Sequence, residues 1–168
     1  MQELLQELVN VSRGKSQERE LASLHAVAAA ASASLEASAE AQSVSIEIDI
    51  PESLELPLEY SRVERVFANL IGNALEAMPD GGRIYIRACV SEGAAQVEVR
   101  DTGPGIAPEI RDRLFQPFAT AGKHSGLGIG LALSRQTVLD HGGDMWLGND
   151  AGPGACFRFR LPLGGVAS

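Results

Sequence analysis

The run Val63-Glu-Arg-Val-Phe-Ala-Asn69-Leu-Ile-Gly-Asn73-Ala-Leu-Glu-Ala-Met78 decides the fold. Val63, Val66, Phe67, Leu70, Ile71, Ala74 and Leu75 recur at helical spacing on one face, so residues 59–78 read as an amphipathic helix, stopped by Pro79-Asp-Gly-Gly82. Asn69 and Asn73, four residues apart, put two amide oxygens on one side of that helix. Such a pair is a place for a hard cation such as Mg²⁺ beside phosphates.

Working outward, residues 83–90 and 95–101 alternate apolar and polar side chains and are joined by Ser91-Glu-Gly-Ala94, the pattern of a hairpin. Residues 44–50 alternate in the same way and are closed by Pro51, and 54–58 read as a short strand. Downstream, 129–140 read as a helix ended by His141-Gly-Gly143, residues 144–148 and 155–161 as strands, and 164–168 as a tail. Towards the N-terminus, Leu4, Leu5, Leu8 and Val9 predict a short amphipathic helix over 2–13, interrupted by Gly14. A second helix is expected from Ser16, where Ser16-Gln-Glu-Arg19 resembles a cap, to about Gln42, with Leu21, Leu24, Val27 and Leu35 as its face. The expected division is an N-terminal helical segment over 1–42, a main domain over 43–163 and a tail over 164–168. Strands alternating with helices and linked by hairpins indicate the α/β class, a mixed sheet with helices on one face.

Composition narrows the function. With 168 residues the chain is long enough for one domain with its own core. Fourteen basic residues against 22 acidic ones give a net charge of −8, a poor match to a nucleic-acid backbone. Cys89 and Cys156 stand far apart with no CxxC spacing, which suggests neither a disulfide framework nor zinc, and a reducing cytoplasm fits best. No apolar run approaches bilayer length.

Two further clusters follow the asparagines. Asp101-Thr-Gly-Pro-Gly105 ends a strand with a carboxylate suited to an amine-bearing base, and its glycines let backbone approach a ligand. Gly126-Leu-Gly-Ile-Gly130 precedes a helix whose N-terminus favours anions. It is not a dinucleotide fingerprint, since no strand precedes it and the G-x-G-x-x-G spacing is absent. Between them, Ala119-Thr-Ala-Gly-Lys-His-Ser-Gly126 has no periodicity and is expected to be a mobile loop.

These segments resemble, over residues 44–163, the ATP-binding catalytic domain of sensor histidine kinases, in the superfamily that includes gyrase, heat-shock chaperone and mismatch-repair ATPases. Asn69-Leu-Ile-Gly-Asn-Ala-Leu-Glu-Ala-Met78 resembles the asparagine box, and its Glu-Ala-Met-Pro-Asp-Gly-Gly ending the nitrogen-regulatory type. Asp101-Thr-Gly-Pro-Gly-Ile106 resembles the first glycine box, Leu114-Phe-Gln-Pro-Phe118 the phenylalanine box and Gly126-Leu-Gly-Ile-Gly-Leu131 the second glycine box, with Gly152-Pro-Gly-Ala-Cys-Phe-Arg-Phe-Arg-Leu-Pro162 as the closing strand.

The resemblance implies a two-layer Bergerat-type sandwich that binds Mg-ATP. Asn73 would hold Mg²⁺ and Asn69 would line the same face. Asp101 would accept from the adenine amine, which guanine replaces by a carbonyl. Gly103, Gly105 and Ile106 would make room for the base, Phe115 and Phe118 would anchor the loop, and residues 119–125 would close as a lid with Lys123 on phosphate. Gly126, Leu127, Gly128, Gly130 and Leu131 would let the lid bend and offer amides. It implies transfer of the γ-phosphoryl to a histidine on a dimerisation domain, a response regulator downstream, dimers of the full-length protein, and a cytoplasmic location, alone or as part of a membrane-bound sensor.

The chain also departs from its relatives. Asn69 stands where the hydrolysing ATPases carry a catalytic Glu, and an amide is no general base, so transfer is expected rather than vigorous hydrolysis. Glu76 replaces a Lys, Leu127 a hydroxyl residue and Ala155 a Thr; the phosphate contact would be either missing or supplied by Lys123 or Arg135. His25 lacks the neighbouring acid of a phosphoacceptor, and His124 and His141 read as structural. The alternatives are a protein-serine kinase of the anti-sigma-factor type and a nucleotide-binding interaction module without turnover.

Overall fold

The computed structural model describes residues 19–106, 111, 114–115, 130–148 and 154–164. Their elements in order are β1 (Glu20–Ser23), α1 (Leu24–Ser34), α2 (Glu36–Ala41), β2 (Val44–Asp49), β3 (Glu55–Leu58), α3 (Tyr60–Ala77), β4 (Gly82–Ser91), β5 (Ala94–Asp101), α4 (Gly130–Asp140), β6 (Asp144–Leu147) and β7 (Cys156–Pro162). Five strands form one sheet in the order β2-β4-β5-β7-β6, and β1 pairs with β3 in a separate two-stranded ribbon. Only the β2–β4 pair of the large sheet is parallel, as the helix between them requires; the other three pairs are antiparallel. The mixed, mostly antiparallel sheet covered by helices on one face is the expected architecture.

Alternation along the strands sorts the two faces. Ile84 and Ile86 of β4, Val97 and Val99 of β5, and Phe157, Phe159 and Leu161 of β7 are buried under the helices. Against them lie Val63, Phe67, Leu70 and Ile71 of α3, Leu24, Val27, Ala28 and Ala31 of α1, and Leu131 and Val138 of α4, all in one core. Phe67 meets Phe159 edge to face at 5.6 Å between ring centroids, tying the central helix to the sheet. Residues 24–41 therefore share the core of the main domain.

The N-terminal region differs from its sequence pattern. The expected helix does not run through Leu21: Glu20–Ser23 is a strand, in register with Glu55–Leu58 through Leu21 opposite Pro57, and Leu21 is 69% exposed rather than on a packed face. Backbone pairing with β3 overrides the helical propensity of Glu-Leu-Ala. Ser23 then caps α1, its hydroxyl accepting from the Ala26 amide at 3.1 Å. At Leu35, with φ −111°, the expected single helix divides into α1 and α2. The helix expected over 2–13 and, of the tail expected over 164–168, residues 165–168 lie outside the described residues.

Candidate functional site

The site grows from α3. Residues at positions 69, 73 and 77 are successive turns of one helix face, so they form a ridge about 12 Å long. At one end, Asn69 Nδ2 donates to the Gly130 carbonyl at 3.3 Å and to the Ser134 hydroxyl at 3.0 Å, both on the first turns of α4. At the other end, a Cβ on Gly103 would stand 3.3 Å from the Ala77 carbonyl and 3.0 Å from Met78 Cγ, so the turn after β5 abuts the end of α3. Asn73 lies half-way between, half-buried, and its side-chain amide has no hydrogen-bond partner among the described residues.

Asp101 closes the same end. It is the last residue of β5, on the helix-facing side, and 6% exposed. One carboxylate oxygen, Oδ1, accepts from the Gly103 amide at 2.9 Å and the Ala155 amide at 3.1 Å. Its own amide donates to the Ala155 carbonyl at 3.0 Å. The other oxygen, Oδ2, has no donor among the described residues, and a buried carboxylate oxygen calls for one. The turn itself is fixed to β4, since Arg83 and Thr102 exchange two hydrogen bonds, amide to hydroxyl at 3.0 Å and amide to carbonyl at 3.2 Å.

Gly154 makes this geometry possible. It has φ +89°, and a Cβ there would fall 1.9 Å from the Asp101 carbonyl oxygen and 2.9 Å from Oδ1, a collision that only glycine avoids. Sequence reasoning placed Gly154 in the closing strand and gave it no part in the site. Its signal was the Gly-Pro-Gly turn opening that strand. Ala155 enters through its main chain: replacing a hydroxyl residue by Ala removes no part of the amide that holds Asp101.

Other expected site residues take clear positions. Gly105, at φ +88°, has the Gly154 carbonyl 3.3 Å from where its Cβ would be, and Ile106 packs partly buried on the core. Phe115 stacks edge-on against Phe157 at 6.2 Å, so it is a core residue whatever it does for the loop. Arg135, offered as a phosphate contact, donates from Nε to Asp144 at 3.0 Å, and its guanidinium lies 5.8 Å over the Phe115 ring. That hydrogen bond holds the Asp144 carboxyl below its ordinary value, against the smaller effect of burial. Gly130 begins α4 and Leu131 is buried in the core. Phe118, Lys123, His124, Gly126, Leu127 and Gly128 lie outside the described residues. A cleft of about 180 Å³ lined by Gly105, Ile106, Gly148, Gly154 and Ala155 contains neither asparagine and borders the Asp101 end through Gly154 and Ala155.

His141 is structural in geometry. Its Nδ1 faces the Thr137 carbonyl at 2.8 Å and so carries the proton, while Nε2 accepts from the Glu59 amide at 3.1 Å. Burial pushes the imidazole below its ordinary value, outweighing the Thr137 hydrogen bond. Around it, the buried Glu59 carboxylate meets Arg62 at 3.3 Å and Arg19 at 3.9 Å, and Arg62 also holds Asp140 at 2.7 Å. Arg19 in addition donates to the Asp140 carbonyl at the end of α4. His25 lies half-buried on α1.

A carboxylate held by backbone amides thus lies at one end of the helix and an amide pair towards the other. A model of the family described as histidine kinase-, DNA gyrase B-, and HSP90-like ATPase matches residues 58–165. The chain belongs to this family. Within it, the chain is an ATP-binding catalytic domain of the sensor histidine kinase type. The adaptive-response sensory kinase SasA of Thermosynechococcus vestitus is 39% identical over 117 residues, covering 66% of this chain and 31% of that protein. The catalytic domain of the histidine kinase ThkA, solved free of nucleotide, superposes with a TM-score of 0.79 at 27% identity over 88% of this chain and 97% of that one. Full-length ShkA in complex with AMPPNP gives a TM-score of 0.79 at 25% identity over 99% of this chain and 36% of that one. The chain spans about a fifth to a third of the length of the curated relatives it matches. Among the described residues no helix is long and apolar enough to cross a membrane.

Proposed function

We propose that this domain binds Mg-ATP and transfers its γ-phosphoryl to a histidine on a dimerisation domain. The observation that carries the reading is Asp101: one oxygen is fixed by two amides, so the other, buried and without a donor among the described residues, is a preorganised acceptor. An adenine exocyclic amine satisfies it; the carbonyl of guanine repels it.

The asparagine end fits the metal. Asn73 would hold Mg²⁺ and Asn69 would line the same face, both offering neutral hard oxygens, and Mg²⁺ commonly keeps few protein ligands beside water and phosphate. When bound, the ion neutralises charge on the phosphate oxygens. The chain's own residues then orient the nucleotide between the ridge and the first turn of α4. Asn69 cannot take a proton from water, which favours an acceptor delivered by a partner over hydrolysis. Lys123 would contact phosphate, Gly126, Leu127, Gly128, Gly130 and Leu131 would supply lid flexibility and amides, and Phe118 would anchor the lid. The histidine domain and a response regulator are the proposed partners, in the cytoplasm. Residues before β1 would connect the domain to the histidine-bearing helices.

The test is phosphotransfer. Labelled ATP, this domain and a cognate histidine domain added in trans should give an acid-labile, alkali-stable phosphoprotein. Acid-stable label would point to a serine kinase, and nucleotide binding without any transfer would leave an interaction module.

A further inference from the structure

The contacts of Asn69 carry a consequence beyond its place in the asparagine box. A side-chain amide has two faces that differ only in O and N, and which one meets α4 decides what the other offers the ligand. The Gly130 carbonyl can only accept, so the atom 3.3 Å from it is Nδ2; with Oδ1 in that place two lone pairs would oppose each other. The Ser134 hydroxyl, 3.0 Å from the same nitrogen, is the nearer of its two partners. Ser134 is 1% exposed, and a hydroxyl that deep is expensive unless it is hydrogen-bonded. Position 134 is one turn after Gly130, so hydroxyl and carbonyl lie on one face of α4, opposite Asn69. Oδ1 of Asn69 is left with no donor among the described residues.

We infer that Ser134 is a positioning residue for the phosphate end of the site: its hydroxyl, with the Gly130 carbonyl, fixes the amide of Asn69 so that Nδ2 belongs to α4 and Oδ1 is presented to the ligand. The inference rests on the Mg-ATP reading above. Without the hydroxyl, Nδ2 keeps only the longer of its two bonds. The amide then turns over more freely, presenting a donor to the metal for part of the time.

The experiment compares nucleotide binding with and without Mg²⁺ by calorimetry in wild type, Ser134→Ala, Asn69→Ala, the double variant and Asn73→Ala. Ser134→Ala should lose roughly tenfold of the Mg²⁺-dependent gain in ATP affinity, while metal-free affinity stays within about twofold. In the Asn69→Ala background the same substitution should have no further effect. Ser134→Cys, close in size, should fall between Ala and wild type. Equal losses with and without Mg²⁺, or full additivity with Asn69→Ala, would overturn the inference and leave Ser134 as a packing residue. If Asn73→Ala also leaves Mg²⁺ dependence intact, the Mg-ATP reading itself fails; if it abolishes that dependence while Ser134→Ala does nothing, only the positioning role fails. Should the Ala variant not fold, the Asn69 side-chain amide in nucleotide-free wild type decides: NMR should show its NH₂ protons protected from exchange, and rapid exchange would contradict the arrangement.

Discussion

Replacing Asp101 by Asn alters one atom and leaves the shape of the side chain unchanged. The two amides of Gly103 and Ala155, at 2.9 and 3.1 Å, accept no alternative to an oxygen, so they orient the new side chain: Oδ1 stays against them and Nδ2 takes the place of Oδ2. The fold should hold, since both buried amides keep their acceptor, whereas Asp101→Ala would strand them at about 1–3 kcal/mol each. Towards the nucleotide, an acceptor has become a donor facing the adenine amine. The lost charge-assisted hydrogen bond is worth about 1.5–3 kcal/mol, and the opposed donors add to it, so ATP affinity should drop by roughly 100-fold. A guanine carbonyl meets the new donor favourably, so GTP affinity should not fall and the ATP preference should shrink or reverse. Titration calorimetry with both nucleotides, beside thermal melting of the free protein, reads all three quantities. An ATP affinity within about twofold of wild type, in a folded variant, would refute the assignment of Asp101 to the base.

Gly154→Ala should destabilise the fold by several kcal/mol in denaturant unfolding, because its Cβ falls 1.9 Å from the Asp101 carbonyl oxygen at φ +89°; unchanged stability would mean that β7 can shift without disturbing Asp101. His141 sets an acid limit. Its folded value lies below the 6.5 of the exposed group, so the unfolded chain binds the proton first; the stabilisation is complete above pH 6.5 and is lost as pH falls from there through the folded value. Unfolding free energies of wild type measured between pH 7.5 and 5 should decline, and those of His141→Gln should decline less; parallel curves would contradict the buried neutral imidazole.

Most of the architecture was legible because it is local. The apolar spacing of residues 63–75 belongs to α3 alone, and the alternation of 83–90 and 95–101 gives β4, β5 and the turn between them. The strand β1 was not legible: Glu-Leu-Ala-Ser has no strand pattern of its own and becomes one through partners more than thirty residues away, Glu55–Leu58. The same division holds for the site. Asn69, Asn73 and Asp101 were readable as residue types at telling spacings. Ser134 and the amide of Ala155 were not, since nothing in Ala-Leu-Ser-Arg says that its hydroxyl will meet an asparagine sixty-five residues earlier.

The ridge along α3 acts as a ruler. Asn69 sits at one mark and Ala77, against the Asp101 turn, at another, and the rise between them is fixed by backbone hydrogen bonds that neither stretch nor compress. On the proposed reading, base end and phosphate end are therefore gauged against one stiff scale. One residue inserted between positions 69 and 77 would rotate one mark by about 100° relative to the other and end recognition at a stroke, whereas an insertion at Glu92-Gly93, on an exposed hairpin turn remote from the scale, would leave the measurement intact.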